Sequence, residues 1–516
     1  KKAPLGSQLY EALKTNLKTF NRILKRTIRE AKRQYYFLTF ARNRSDVKAT
    51  WKTISSVLNR SSPTDTLPAY LIQGNLKLSS PKEVINSFNS HFSTVGSKLI
   101  DSIGNSDVSF RDFMPNQTET VFSFSSVTQD EVERTIDELK PKSCSATDGI
   151  SSKLLKILKP VISLPLTILI NQTIRTGRFP DDLKIAKVKP IFKKGDKHDP
   201  NNFRPISILP AISKVYEKIL HKQIVNHFQA NSLLFGSQYG FRSSHSTEQA
   251  TLELVDRLSI EMDRGGTPFA VFIDLSKAFD CLDHKILTDK LKFYGFRDNA
   301  LDLMKNYLTN RKQFVEFNGL KSSLQNISVG VPQGSVLGPL LFLIHLNDFS
   351  KASNTFKMIN YADDTALISA MSFFPGNSSD KISDELEKVS TWLRANKLMI
   401  NVSKSKAMMF HQRNKRISNP EIKLNGELIE FVDTFNYLGI VLDQRLSWSA
   451  HTRSISAKIS KVIGILSKLK HFFPPYILKI IYDALISSRL KYGLLIWGSC
   501  SSQIFKLQKR AVRIIS

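Results

Sequence analysis

Two short apolar runs, Phe356 to Tyr361 and Thr365 to Ile368, flank the step Ala362-Asp363-Asp364. Runs rich in Ile, Phe, Tyr, Thr and Leu favour strands, and a small residue followed by Asp favours a tight turn. The stretch therefore predicts a β-hairpin with two carboxylates at its tip. Charge held at the end of a buried hairpin is costly unless something pairs with it. A solvated turn carries such a pair equally well, so the discriminating question is whether a further carboxylate-bearing segment exists. Paired carboxylates are hard oxygen ligands, which suit Mg²⁺.

A candidate partner segment lies upstream. Phe269-Ala270-Val271-Phe272-Ile273 is continuously apolar, as strands buried on both faces are, and it ends in Asp274. Two metal ions about 3.5–4 Å apart can clamp the attacking and leaving oxygens of a phosphoryl transfer, and one turn cannot surround both. Asp274 is the best third ligand, although spacing alone cannot bring it to Asp363 and Asp364. Between them lies Gly330-Val331-Pro332-Gln333-Gly334-Ser335-Val336-Leu337-Gly338-Pro339, a loop that opens an apolar helix over 340–346. Its glycines allow backbone to approach a ligand closely.

Charge narrows the partner. The 516 residues hold 74 Lys and Arg against 45 acids, a formal net charge of +29, on a globular background of 41% hydrophobic residues. Such an excess predicts a polyanionic partner, with nucleic acid the expected one. It concentrates at the ends: residues 1–60 carry 15 Lys/Arg and three acids, and residues 451–516 carry 12 and one. Cys144, Cys281 and Cys500 lie far apart, with neither a disulfide framework nor a zinc spacing, which predicts a reducing, intracellular setting. No apolar run reaches the roughly 18 residues of a membrane span, so no membrane partner is expected. The Lys-Lys-Ala start is not a signal peptide, and a start without Met reads as a piece of a longer chain.

Along the chain, apolar spacings predict a basic helical N-terminal extension over 1–60, either packed on the body or free as an arm. A connector follows over 61–120, broken at Ser61-Ser62-Pro63 and Ser79-Ser80-Pro81, with one helix near 81–100. Thr128 to Glu131 is a capping box that opens a helix, and a second helix is expected at 151–175. Strand-like pieces over 184–210 bracket a turn at Gly195 and carry Lys187, Lys189, Lys193, Lys194 and Arg204, a basic hairpin suited to a triphosphate or a template backbone. Helices are expected at 211–230, 249–262 and 381–398, and strands at 405–411 and, with a tight point at Gly439, at 435–442.

These blocks, in this order, resemble the reverse transcriptases of non-LTR (LINE-type) retrotransposons, especially the jockey-like group. Phe272 to Asp280 is similar to polymerase motif A, Gly330 to Pro339 to motif B, and Tyr361-Ala362-Asp363-Asp364 to motif C. Trp392 to Lys406 resembles motif D, and Phe435 to Leu442 the primer-grip motif E. Lys189 to Leu209 and Gln238 to Arg242 resemble the fingers blocks. The resemblance implies an α+β right-hand polymerase: fingers over 121–267, a palm with an antiparallel sheet over 268–445 and a helical thumb over 446–516. Departures are the missing upstream endonuclease, the missing Cys/His knuckle, and Ser143 to Gly149 in place of a more usual Pro-Gly loop.

The resemblance also implies roles. Asp274, Asp363 and Asp364 hold two Mg²⁺, with Mn²⁺ as a substitute. Phe279 excludes a ribose 2′-hydroxyl, and Gln333 touches the nucleotide and template. Lys193 or Lys194, with Arg204, holds the triphosphate, and Lys404 protonates pyrophosphate. Gly334, Tyr361, Tyr437, Leu438 and Gly439 seat primer and template. Partners implied are an RNA template, a DNA primer or target, dNTPs and a companion element-encoded RNA-binding protein. The implied location is a cytoplasmic ribonucleoprotein, then the nucleus during integration. Rival readings are a group II maturase-like or RNA-templated RNA polymerase, and a domesticated, catalytically silent nucleic-acid-binding protein.

Overall fold

The computed structural model describes residues 4, 6–58, 67–74, 76–104, 106–114, 118–376, 378–412, 418–499 and 502–516, with the backbone of Cys500. The expected break at Ser61-Ser62-Pro63 lies outside the described residues. The chain forms two compact units, one of residues 65–435 and one joining 1–64 to 436–516.

The second of these units opens with α1 (Gln8–Arg42), capped by the Ser7 hydroxyl, and α2 (Val47–Val57), capped by the Asp46 carboxylate. Leu9, Leu13, Leu17, Phe20 and Ile28 of α1 are exposed. Its last turns are not: the Tyr36 and Phe40 rings lie 5.3 and 4.8 Å from the ring of Phe473. The basic N-terminal segment thus docks on the C-terminal helices through aromatic edge contacts.

The 65–435 unit begins with a short hairpin, β1 (Leu71–Gln73) and β2 (Leu76–Leu78), then α3 (Pro81–Ser102). A Ser80/Glu83 capping box and Pro81 in the first turn explain where α3 starts. Val84, Ile85, Phe88 and Phe92 of α3 share a core with Val188, Phe203 and Val315. So the expected connector contains a helix built into the body. The chain continues through α4 (Gln129–Glu138), with the expected Thr128/Glu131 box, then α5 (Ser152–Thr176), β3 (Ile185–Phe192), β4 (Phe203–Ile208), α6 (Ala211–Ala230), α7 (Thr247–Asp263) and β5 (Pro268–Ile273). Next come α8 (His284–Phe293), α9 (Asp298–Leu308), β6 (Arg311–Phe317), β7 (Leu320–Lys321), β8 (Gln325–Ile327) and α10 (Leu337–Leu346). The hairpin β9 (Lys357–Tyr361) and β10 (Asp364–Ala370), α11 (Ser378–Ala395), β11 (Lys406–Met409), β12 (Lys423–Leu424), β13 (Glu427–Leu428) and β14 (Glu430–Phe431) complete the unit.

Two five-stranded sheets organise it. One runs β14-β11-β5-β10-β9, with β5 paired antiparallel to both β10 and β11. All six residues of β5 are buried, as its apolar run predicted. The other runs β4-β3-β6-β7, with β8 on β6. There β3 pairs antiparallel with β4 but parallel with β6, more than 100 positions later. Between the sheets' helices, Lys290 of α8 is buried with its ammonium donating to the Asp348 carboxylate and the His345 carbonyl, while Trp392 Nε1–H donates to the same carboxylate.

Two expectations need correction. Helix α5 is long and apolar enough, by length and composition, to cross a membrane. The helix itself was expected at 151–175; Lys159, Pro160, Ser163 and Pro165 interrupt its apolar run, and the two prolines do not break the helix. Leu155, Leu166 and Ile170 face the core, whereas Ile157, Val161 and Ile168 are exposed. The single strand expected over 435–442 is two strands, β15 (Thr434–Tyr437) and β16 (Ile440–Asp443). Leu438 (φ +46°) and Gly439 (φ +89°) reverse the chain between them, a turn that needs left-handed backbone. Thereafter α12 (Ser449–Leu469), α13 (Pro475–Tyr482), α14 (Ser488–Lys491), α15 (Leu494–Trp497) and α16 (Ser502–Ile515) finish the chain.

Candidate active site

Strand register brings the three predicted carboxylates together. In the β5–β10 ladder Ile273 faces Thr365, and in the hairpin Tyr361 faces Asp364. Asp274, one residue past β5, therefore emerges at the sheet end where β9 turns into β10. The turn itself is Ala362-Asp363, with Ala362 at φ +57°, and Asp364 is already in strand. Burial, then the charges of Asp363 and Asp274, push the Asp364 carboxyl up to about 6. Asp363 is raised too, first by burial and then by Asp274, against the opposing pull of Arg204 and Lys193. Lys404 Nζ lies 3.7 Å from Asp274 Oδ2. Burial lowers Lys193, as do the like charges of Arg204 and Lys404. Three acids and three bases thus face one another.

The donor set fits a hard divalent cation in type, because mutually repelling carboxylates are what such an ion neutralises. Among the described residues no group of three or more His, Cys, Asp or Glu side chains is arranged to hold a metal ion.

A segment distant in sequence props the turn. Gln238 is buried, and its Oε1 accepts the N–H groups of Gly240 (2.8 Å) and Ala362 (3.1 Å). Tyr239 N–H donates to Asn360 O, and Asn360 N–H to Ser237 O, so Ser237 to Tyr239 lies along β9 like an added edge strand. A Cβ on Gly240 would stand 2.2 Å from Ala362 N. Gly240→Ala must therefore push the turn outward. We expect incorporation of nucleotide to fall on the order of 100-fold, the effect of misplacing a reacting group by about 1 Å. Primer-extension rates alongside a thermal melt check this, and an unchanged rate would show that the turn is not held there.

The Gly330–Pro339 loop is equally constrained. Gly334 sits at φ +131°, and a Cβ there would stand 2.4 Å from Ser207 O on β4. Gln333 O accepts Ser207 N–H at 2.8 Å, and Gln333 Nε2 donates to Asp280 Oδ1 at 2.8 Å. The Phe279 ring stacks on Phe342 of α10 at 4.5 Å and meets Phe241 edge-on at 6.0 Å.

Residues 191–442 match the family of reverse transcriptases, the RNA-dependent DNA polymerases. They form a reverse transcriptase domain. The candidate residues from Lys193 to Gly439 lie inside it, whereas Lys187 and Lys189 lie just before it. The chain is similar to the probable RNA-directed DNA polymerase from transposon X-element of Drosophila melanogaster, 31% identical over 377 residues, covering 70% of this chain and 40% of that one. It is also similar to the RNA-directed DNA polymerase from mobile element jockey of Drosophila funebris, 27% identical over 406 residues (76% and 44%), and to the probable RNA-directed DNA polymerase from transposon BS of Drosophila melanogaster, 28% identical over 410 (75% and 44%). The resemblance to non-LTR retrotransposon enzymes is thus shown, and the chain spans less than half the length of these relatives. Reverse transcriptases generally use divalent metal ions.

Within the reverse transcriptase domain some predicted residues gather and others do not. Asp274, Asp363, Asp364, Lys193, Arg204 and Lys404 share one electrostatic cluster, and Lys194 acts on it through Lys193. Tyr361 is half-buried beside Asp364. Tyr437, Leu438 and Gly439 fall in the other unit, on the β15–β16 hairpin. Lys187 is a correction: it pairs with Glu316 of β6 at 2.6 Å, a partner supplied by the β3–β6 pairing. Gln238 and Asp280 lie in blocks recognised from the sequence but carried no assigned role there, and Gly96 of α3, where a Cβ would lie 1.9 Å from Asp280 O, was not singled out. Burial pushes the Asp280 carboxyl up to about 6 in spite of its hydrogen bond from Gln333.

Proposed function

We propose that this chain is the RNA-directed DNA polymerase of a non-LTR retrotransposon, extending a DNA primer on an RNA template by two-metal nucleotidyl transfer. The observation that carries this is the meeting of Asp274, Asp363 and Asp364 at one sheet end, faced by Lys193, Arg204 and Lys404. On this reading the chain is a right-hand polymerase, with fingers over 121–267, palm over 268–445 and thumb over 446–516.

Asp274, Asp363 and Asp364 would hold two Mg²⁺ ions, with Mn²⁺ as a substitute. When bound, these lower the pKa of the primer 3′-hydroxyl and neutralise charge on the triphosphate. Around them the chain's own groups orient the substrates. Lys193 and Arg204 bind the triphosphate, with Lys194 adding positive potential. Gln333 and Gly334 line the nucleotide and template, and Phe279 closes the space a 2′-hydroxyl needs. The primer 3′-hydroxyl gives up its proton to water, its oxygen bonds to the α-phosphorus, the bond from that phosphorus to the α–β bridging oxygen breaks, and pyrophosphate leaves with a proton that Lys404 can supply. Tyr361 and the Tyr437–Gly439 turn seat the primer. By the same reading the primer is a nicked chromosomal 3′-end, the template is the element's own transcript, and a companion RNA-binding protein joins a cytoplasmic particle that enters the nucleus.

The test is dTTP incorporation on poly(rA)/oligo(dT) with Mg²⁺. Binding of RNA without incorporation would leave only a silent binding module. A pH dependence follows from Asp364. Its raised pKa means that the folded chain binds a proton more readily than the unfolded one between about pH 4 and 6. The strain of its charge is therefore absent below the unfolded value of 3.8 and appears as pH rises through about 6. Activity runs the other way, because the ionised form is needed. At limiting Mg²⁺, incorporation should fall about tenfold per unit below pH 6. A flat profile from pH 7 to 5 would contradict this.

A further inference from the structure

Glu217 on α6 belongs to none of the motifs, and it is fully buried. Its Oε2 accepts the N–H groups of Val336 (2.5 Å) and Leu337 (3.3 Å), and its Oε1 accepts the Ser213 hydroxyl (3.2 Å). Those two N–H groups belong to the start of α10, where no carbonyl of the same helix can reach them. The next one, Gly338 N–H, donates to Ser335 Oγ at 3.0 Å. A carboxylate is an expensive way to satisfy a buried helix end, since burial opposes its charge. Here burial raises the Glu217 carboxyl, with Arg311 and the two N–H groups opposing that rise. Helix α10 carries two features of the site. Gln333 and Gly334 lead directly into its first turn, and Phe342 on its body backs the ring of Phe279. Asp280 and Ser207 hold Gln333 from the other side.

We propose that Glu217 is a positioning residue for the incoming nucleotide: by anchoring the first turn of α10 it sets the placement of Gln333 and, through Phe342, of the Phe279 ring, and so controls both dNTP affinity and discrimination against ribonucleotides. This rests on the reading of Gln333 and Phe279 as nucleotide contacts. A purely structural anchor would alter stability and leave these two properties alone.

The experiment uses the full chain with Glu217→Gln, which keeps the shape and one acceptor oxygen, and Ser213→Ala, which keeps the carboxylate and removes its hydroxyl donor. Phe279→Ala serves as the control for the underlying reading. Primer extension gives KM and kcat for dCTP and the ratio of dCTP to CTP incorporation, and thermal melting reports stability. Glu217→Gln should raise the dCTP KM on the order of tenfold, move kcat less, and reduce the dCTP preference, with Ser213→Ala shifting both in the same direction by less. Phe279→Ala should relax sugar selection strongly. If Phe279→Ala relaxes it while Glu217→Gln leaves KM and the ratio as in the unmutated chain, the role of Glu217 is overturned, whatever the melt shows. If Phe279→Ala itself changes nothing, the nucleotide-site reading has failed and the inference falls with it. Should Glu217→Gln not fold, an unshifted KM and ratio in Ser213→Ala overturns the proposal.

Discussion

Asp363→Asn removes nearly all primer extension, by about a thousandfold or more, while leaving the fold and RNA binding in place. The physical reason is charge. A bound metal pair contributes several kcal/mol of transition-state stabilisation, and each 1.36 kcal/mol is a factor of ten in rate. Asparagine keeps the size of the side chain but offers no anionic oxygen. It also removes one of the like charges that raise Asp364, so the Asp364 carboxyl should drift down from about 6 in the variant. The fold should tolerate the change, because it relieves repulsion at a sheet end. Incorporation on poly(rA)/oligo(dT), measured beside a filter-binding assay with RNA, separates the two properties. Equal incorporation by Asp363→Asn and the unmutated chain would remove the metal site from the argument.

Asp348→Ala should lower the stability of the 65–435 unit by roughly 3–5 kcal/mol, the cost of leaving a buried charge without its partner. Lys290 and Asp348 are both buried, and the carboxylate also receives the Trp392 indole N–H. Without it, the ammonium keeps only the His345 carbonyl among these partners, and burial already disfavours its charge. Lys290→Met paired with Asp348→Leu should recover most of the loss, since replacing both members of a buried pair with apolar groups is often near neutral. Urea unfolding midpoints of the unmutated chain and the two variants decide the matter. A double variant as weak as Asp348→Ala alone would mean that packing around Trp392, not the ion pair, is what was lost.

Much of the site was legible because its signals are local. The hairpin over 357–370, the apolar strand ending at Asp274 and the glycine loop before α10 each follow from a handful of neighbouring residues. The Thr128/Glu131 box marked the start of α4 for the same reason. Less legible was the stretch from α9 to β8. Its strands are short and partly polar, and β6 gains its meaning only by pairing in parallel with β3. That pairing also explains why Lys187 is engaged by Glu316 rather than facing a phosphate. In the 435–442 stretch Gly439 marked a tight point, but the full reversal into two strands was not legible because positive φ at Leu438 has no side-chain signature.

By itself, the sequence determined which chemistry this chain carries: three aspartates at the ends of apolar strands, a glycine loop between them and a large basic excess. Residue type and local spacing suffice for that, because strand, turn and charge are set by near neighbours. Only the tertiary structure decided how those pieces are held. The Gln238 amide under the Asp363 turn, Gly240 pressed against Ala362, and Glu217 at the start of α10 act across roughly 120 positions each. Contacts at that separation depend on how the strands and helices pack, and packing is a property of the folded whole.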